Sequence, residues 1–180
     1  LLMNIIDKIA KRHKLRALLH EKPYAGVNGS GKHNNWSLAT NTGENLFNPG
    51  HTPENNLQFL TFLVNFLKAV NEHSGLLRAS IANAGNEHRL GANEAPPAII
   101  SVYIGEFLAE ILEHFKNNTL DQYHKISDEL VLNVPKVANI NKDNTDRNRT
   151  SPMSFTVNRF EFRAVGSSLN VSHPMTVLNT

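Results

Sequence analysis

The sequence predicts an α+β fold, and three observations carry that expectation. Apolar residues recur at helical spacing in several separate stretches, while one late segment, "NRFEFRAV", alternates aromatic and charged residues in the manner of a half-buried strand. The order of elements is a helix, two strands, several helices and a final strand. This lacks the regular strand–helix alternation that builds a parallel α/β sheet.

Taken in order, Leu2, Ile5, Ile6, Ile9 and Ala10 line one face of a helix running from Leu1 to about His13. "LRALLHEKPY" predicts a strand from Leu15 to His20, closed by Pro23 and the glycine cluster beyond it. "NWSLAT" predicts a second strand, and "NTGENLFNPGHTPEN" a turn-rich loop. Thr52 is a good N-cap; with Pro53 and Glu54 it opens a helix to about Glu72, whose stripe is Leu57, Leu60, Val64 and Leu67. Leu76 to Asn83 reads as a short helix and "NEHRLGANEAPP" as a loop with two turns. Pro97 is expected to start a long helix ending near Asn117. From Leu120 to Asn144 the pattern is weak, predicting one short helix and an exposed polar connection before the final strand.

Composition narrows the function. The chain has 180 residues, 40% of them hydrophobic and 19% charged, which fits one globular domain or a large piece of one. A net charge of +2 is too mild to argue for nucleic acid, and no basic run interleaved with aromatics is present. The longest apolar stretch, "LQFLTFLVNFLKAV", is interrupted by Asn65 and Lys68 and falls short of a membrane span. The chain has no cysteine, which excludes disulfides and thiolate metal sites and fits a reducing, cytoplasmic setting. The helical pattern already running at Leu1 and the uncapped end at "HPMTVLNT" predict a piece cut from a longer protein.

The motifs are more specific. Gly26, Gly31 and Lys32 in "GVNGSGKHNNWS" fit the spacing of a phosphate-binding P-loop, but His33 stands where Ser or Thr should hold magnesium. No helical stripe follows either, so a P-loop is rejected. What remains is a glycine-rich backbone able to approach a ligand closely, with a histidine just beyond it. In the final strand Phe160 and Phe162 share one face, while Arg159, Glu161 and Arg163 share the other. That charged face is either a solvated salt-bridge ladder or the wall of an anion-binding cleft with a cation on Glu161. Arg147 and Arg149 in "RNRT" are either a solvated basic turn or a phosphate clamp. Arg89 and Glu94 fall in a polar loop of small residues.

Together these stretches resemble the glutamine synthetases. "NGSGKHNNWSL" is similar to the family's Asn-Gly-Ser-Gly-x-His-x-x-x-Ser segment, "HRLGANEAPP" to its flap, and "RNR" with "RFEFR" to its arginine motif and Arg-x-Glu-x-Arg strand. The motifs occur in the family's order from Asn28 to Arg163, and "EKPYAGVNGSGKHNNWSL" and "DNTDRNRTSPMSF" look like the large type III branch. The resemblance implies a curved antiparallel sheet backed by helices, covering residues 1–180 as part of a catalytic domain. A small N-terminal β-grasp domain and further metal-binding carboxylates would then precede Leu1.

It also implies the chemistry: ATP-dependent amidation of glutamate by ammonia through γ-glutamyl phosphate, with two magnesium or manganese ions. By resemblance, His33 and Glu161 would bind one cation, and Asn28, the Gly29 backbone, Arg89 and Arg163 would bind glutamate. Asn35 and Ser37 fall at nucleotide-side positions, with Asn35 standing where the family commonly has a second His. Arg149 and Arg159 would stabilise phosphate charge, and Glu94 would close the site and help take a proton from ammonium. The family works as a homo-oligomeric ring with active sites between neighbours, so this segment alone is expected to be inactive. Two other readings stay open: a non-catalytic scaffold or regulatory relative, and another glutamate–amine ligase of the superfamily. A scaffold has no physical need for the charge constellation kept here, and manganese binding separates it from an enzyme.

Overall fold

The computed structural model describes residues 1–92, 95–120, 129–130, 140–141 and 150–180. Its centre is a four-stranded sheet made of β1 (Gly31–Trp36), β2 (Val102–Tyr103), β5 (Met153–Thr156) and β6 (Arg159–Gly166), in the order β1-β6-β5-β2. The helices are α1 (Leu2–Arg12), α2 (Leu57–Ser80), α3 (Ala84–Arg89), α4 (Gly105–Lys116) and α5 (Ser172–Asn179). A separate two-stranded ladder joins β3 (Glu129–Leu130) to β4 (Ile140–Asn141). The α+β expectation holds. Three of the four sheet strands pair antiparallel, but β2 joins β5 in parallel.

Strand β6 does what its alternation predicts. Phe160, Phe162 and Ala164 are fully buried on one face, whereas Arg159 is exposed and Glu161 partly so on the other. Phe160 is the hub of an aromatic cluster. Its ring centroid lies 4.0 Å from Phe66, 5.1 Å from Phe47 and 5.2 Å from Phe155, and Trp36 stacks on Phe66 at 4.8 Å. Edge-to-face and offset contacts of this kind add specificity to the burial of large apolar area. Helix α2 therefore lies across the apolar face of the sheet. The terminal α5 packs against α2, where the Trp36 indole N–H donates to Asn179 Oδ1 at 2.9 Å.

Several expectations are corrected. Residues 15–20 form no strand, and Leu15, Leu18 and Leu19 are exposed. Apolar content alone does not make a strand without a neighbour to take its backbone hydrogen bonds. The β1 ladder begins at Gly31 and ends at Trp36, earlier than "NWSLAT" suggests, because β6 offers its partners there.

The long helix is capped not by Thr52 but by Asn56, whose side chain accepts from the Phe59 amide at 3.0 Å; Pro53–Asn55 is a separate 3-10 turn. Its buried face is Phe59, Leu60, Leu63, Val70 and Leu77, while Leu57 and Val64 of the predicted stripe stay exposed. The two predicted helices around residue 73 are one element kinked at His73.

The predicted loop from Asn86 contains the end of α3, whose Asn83 side chain accepts from the Gly85 amide at 2.9 Å. Pro97 starts no helix: the chain bends at residues 98–99, β-branched Val102 enters the short β2, and α4 begins only at Gly105. Most of the weak segment from Leu120 to Asn144 lies outside the described residues.

The β5–β6 hairpin turns through Val157, at φ 56°, with the Asn158 amide donating to the Thr156 carbonyl at 2.6 Å. This is a γ-turn with positive φ on a β-branched residue, a strained arrangement. Val157→Gly should raise stability by about 1 kcal/mol, because glycine adopts that φ freely. Phe160→Ala should cost about 3–5 kcal/mol by opening a cavity at the aromatic hub. Denaturant unfolding of the full-length protein, followed by Trp36 fluorescence, reads both; a neutral Phe160→Ala would contradict the hub.

Candidate functional site

The polar face of the sheet is organised by β6. Arg159, Glu161 and Arg163 project from one side of the strand at successive steps of about 6–7 Å. Each meets residues brought by a different neighbour.

At the middle step, His33 Nδ1 lies 2.8 Å from Glu161 Oε1. The contact depends on an irregularity in the β1–β6 ladder. Lys32 pairs with Val165, but Asn34 pairs with Phe162, so the register shifts at His33. Two β6 residues, Arg163 and Ala164, thus stand opposite His33 alone, a bulge in β6 that re-aims side chains without breaking the strand. His33 is exposed and Glu161 is mostly covered. The other carboxylate oxygen, Oε2, accepts from Arg163 Nη2 at 2.7 Å and Nε at 3.1 Å. Burial alone would raise the Glu161 pKa, but the Arg163 bonds and charge, with His33 behind them, overcome it and hold the carboxyl below its ordinary value. Glu161 is therefore an anion shared between a guanidinium and an imidazole.

Toward the hairpin, Arg159 Nε donates to Asn35 Oδ1 at 3.3 Å. The Ser37 hydroxyl donates to Asn45 Oδ1 at 2.7 Å and to the Asn158 carbonyl at 3.3 Å. The same carbonyl accepts from Asn45 Nδ2 at 2.9 Å. The three residues with a predicted nucleotide role, Asn35, Ser37 and Arg159, thus gather at one end of the sheet, on exposed surface.

At the opposite end lie the residues expected to meet glutamate. Arg163 is buried beside Glu161, and Arg89, at the end of α3, is also buried. Arg89 donates from Nη2 to the Arg163 carbonyl at 3.0 Å and from Nη1 to Asn86 Oδ1 at 3.3 Å. The glycine segment lies directly on this guanidinium: a Cβ on Gly29 would come within 2.6 Å of Arg89 Cγ, and one on Gly31 would overlap the guanidinium itself. Glycine is needed here for close approach rather than for a P-loop. Asn28 lies beside it in the same exposed turn. Lys32, which completes the P-loop spacing, instead donates to the Leu169 carbonyl at 2.5 Å and ties β1 to the chain beyond β6. Glu94, Arg147 and Arg149 lie outside the described residues.

His33 and Glu161 provide an imidazole nitrogen and a carboxylate, donor types suited to manganese and tolerated by magnesium. Among the described residues, no group of three or more His, Cys, Asp or Glu side chains is arranged to hold a metal. The pair fits such an ion in chemistry and supplies part of a ligand set.

Three important residues escaped the sequence reading. Asn86, fully buried, donates to the Ile81 and Ala164 carbonyls at 3.0 Å each and orients Arg89. Ser154, opposite Glu161 on β5, is fully buried with a hydroxyl that meets no hydrogen-bond partner among the described residues. Glu21 is 2% exposed, and its carboxylate accepts from both the amide and the hydroxyl of Ser168, the amide at 3.0 Å. None of the three carries a periodicity signal; only "EKPY", an acid set just before a proline and a glycine cluster, hinted at Glu21.

Burial acts to raise the Glu21 pKa, but the Ser168 bonds and nearby His20 prevail and lower it. A carboxyl with a lowered folded pKa contributes stability above its unfolded value, about 4.3, and loses that contribution as pH falls through the folded value. The melting temperature should therefore fall more steeply on acidification from about pH 6 to about pH 3 in the parent protein than in Glu21→Gln. Parallel curves would show that Glu21 is not held in its charged form.

A family model, the glutamine synthetase catalytic domain, matches residues 1–100. The whole chain is 57% identical over 180 residues to the type-3 glutamine synthetase of Dictyostelium discoideum, of which it covers 24%. It is 54% identical over 183 residues to a glutamine synthetase of Bacteroides fragilis (strain YCH46), matching 99% of this chain and 25% of that protein. A glutamine synthetase of Butyrivibrio fibrisolvens is 50% identical over 161 residues, matching 89% of this chain and 23% of the relative. The chain thus spans about a quarter of the length of these curated relatives. Among solved structures, one described as "Apo GmaS without ligand" matches with a TM-score of 0.54 at 22% identity, covering 98% of this chain and 31% of that one. At that identity the likeness concerns the fold alone.

Proposed function

We propose, from the premise that this chain belongs to the glutamine synthetase family, that the protein ligates ammonia to glutamate at the expense of ATP. The observation that carries this reading is the order of side chains along β6. Arg159 sits with Asn35 and Ser37 at one end, Glu161 with His33 in the middle, and Arg163 with Arg89 and Gly29 at the other. A nucleotide site, a cation site and an amino-acid site in line is the arrangement that phosphoryl transfer from ATP to a carboxylate requires.

On this reading the glutamate side-chain carboxylate takes the terminal phosphoryl group to give γ-glutamyl phosphate, which ammonia then attacks with release of phosphate. Arg89 and Arg163 hold glutamate, with Asn28 and the Gly29 backbone. Arg89 is suited to a carboxylate: it is a buried cation whose described bonds go to neutral acceptors, and no acid lies in salt-bridge range of it among the described residues. Arg159 and Arg149 stabilise charge on the transferring phosphoryl group, the largest lever such a site has. Asn35 and Ser37 face the nucleotide. Glu94 closes the site and takes a proton from ammonium. His33 and Glu161 are two ligands of a magnesium or manganese ion, which when bound neutralises phosphate charge.

Residues 1–180 are then part of a catalytic domain, with a β-grasp domain and the other metal-binding carboxylates supplied by further sequence. The complete protein acts as a homo-oligomeric ring in the cytoplasm. No described helix is long and apolar enough to cross a membrane.

The test is glutamine formation by the full-length protein with manganese or magnesium. Glu161→Gln and His33→Ala should each weaken manganese binding more than about tenfold and abolish most turnover. A full-length protein that binds no manganese and forms no glutamine would overturn the reading in favour of a scaffold. The 180-residue segment alone should be inactive, and robust turnover by it would contradict the partial-domain assignment.

A further inference from the structure

We propose that Glu21 is the positioning residue for the glutamate end of the site, its buried carboxylate clamping three elements together and so fixing where Arg89 presents its guanidinium. The proposal deepens the reading above, in which Arg89 meets the α-carboxylate of glutamate, and rests on it.

Three pieces of chain converge on Glu21. Its backbone carbonyl accepts from the Ser30 amide at 2.6 Å, closing the loop that carries Asn28 and Gly29. Its carboxylate accepts from Ser168, just beyond β6 and close to Arg163 in sequence. It also lies against Gly85 in the first turn of α3, the helix that ends in Arg89, and against Gly166 at the end of β6. A Cβ on Gly166 would come within 2.7 Å of the Glu21 carboxylate, and one on Gly85 would overlap it. The chain thus leaves side chains out at both positions where the carboxylate passes.

A merely structural clamp would not need a charge. Burying a carboxylate is unfavourable, and an apolar side chain of similar size would pack the same three elements without that cost. The charge makes sense beside Arg89. Burial works against the Arg89 cation and lowers its pKa, while Glu21, acting through space, works to keep it charged. The guanidinium spends its described bonds on Asn86 Oδ1 and the Arg163 carbonyl, both neutral. Its charge is thereby sustained without being consumed by a direct ion pair, which leaves it for the carboxylate of an amino acid. Glu21 touches no substrate in this scheme; it acts through Arg89 and the glycine segment.

The experiment uses the full-length enzyme with Glu21→Asp, which keeps the charge but withdraws it by one methylene, and Ser168→Ala, which removes one donor to the clamp. Glu21→Asp should raise the KM for glutamate about five- to tenfold and Ser168→Ala about two- to threefold, with the KM for ATP unchanged. Should Glu21→Asp not fold, Ser168→Ala decides alone. An unchanged glutamate KM, or equal rises for glutamate and ATP, would overturn the proposal, the second because it signals general loosening. Arg89→Lys separates the two levels of the argument. If it leaves the glutamate KM unaltered, the role given to Arg89 fails; if it raises that KM while Glu21→Asp does not, only the role of Glu21 fails.

Discussion

Phe160, Phe162, Ala164 and Val165 of β6 enter the core, and the strand is hydrogen-bonded along one edge to β1 and, over Arg159 to Phe162, along the other to β5. None of the residues from Phe160 to Phe162 can change face without breaking two ladders at once. That constraint joins stability to chemistry. The burial of Phe160 and Phe162 fixes the strand against α2, and the same act fixes Arg159, Glu161 and Arg163 on the opposite face. The ion cluster does not have to supply its own positioning energy. Paired charges seldom repay their desolvation with much to spare, so it matters that the aromatic cluster carries that burden instead.

The electrostatics of the site are graded along the strand. Glu161 is held from both sides, by the Arg163 guanidinium within the strand and by the His33 ring across it. The buried guanidinium of Arg89 is a different case, since its charge is balanced only at a distance. The middle of β6 thus holds an anion with direct partners, while its Arg163 end lies beside the Arg89 cation, which has no direct ion pair among the described residues.

How much of this was legible in the sequence follows from the range of the forces involved. The β6 alternation could be read directly, because period two is local and its aromatic residues are unambiguous. The motif resemblance placed His33 beside Glu161, residues 128 apart in the chain, which no local pattern could do. The buried face of α2 was misread because two apolar stripes overlap on it. Leu57, Leu60, Val64 and Leu67 satisfy helical spacing as well as Phe59, Leu63, Val70 and Leu77 do, and only the position of the sheet selects between them. Leu57 and Val64 instead line an open groove with Leu112 and Phe115. Glu21, Asn86 and Ser154 were invisible for a related reason. Buried polar residues owe their place to partners far along the chain, and period-based reading sees only neighbours. Arg89 was read as a loop residue although it ends α3, since six helical residues are too few to show a stripe.

The β6 bulge opposite His33 constrains how the β1 segment can vary. Because β6 sets two residues, Arg163 and Ala164, opposite His33 alone, β1 carries His33 to Glu161 while Trp36 still reaches Phe66 on the other side of the sheet. Both placements are set by counting residues, not by which residues they are. Substitutions between Gly31 and Trp36 perturb one contact at a time, whereas loss or gain of a single residue would exchange the two faces of the strand. The length of this short stretch is thus under stricter control than its composition, and drift in the lineage should appear there as replacement and never as insertion.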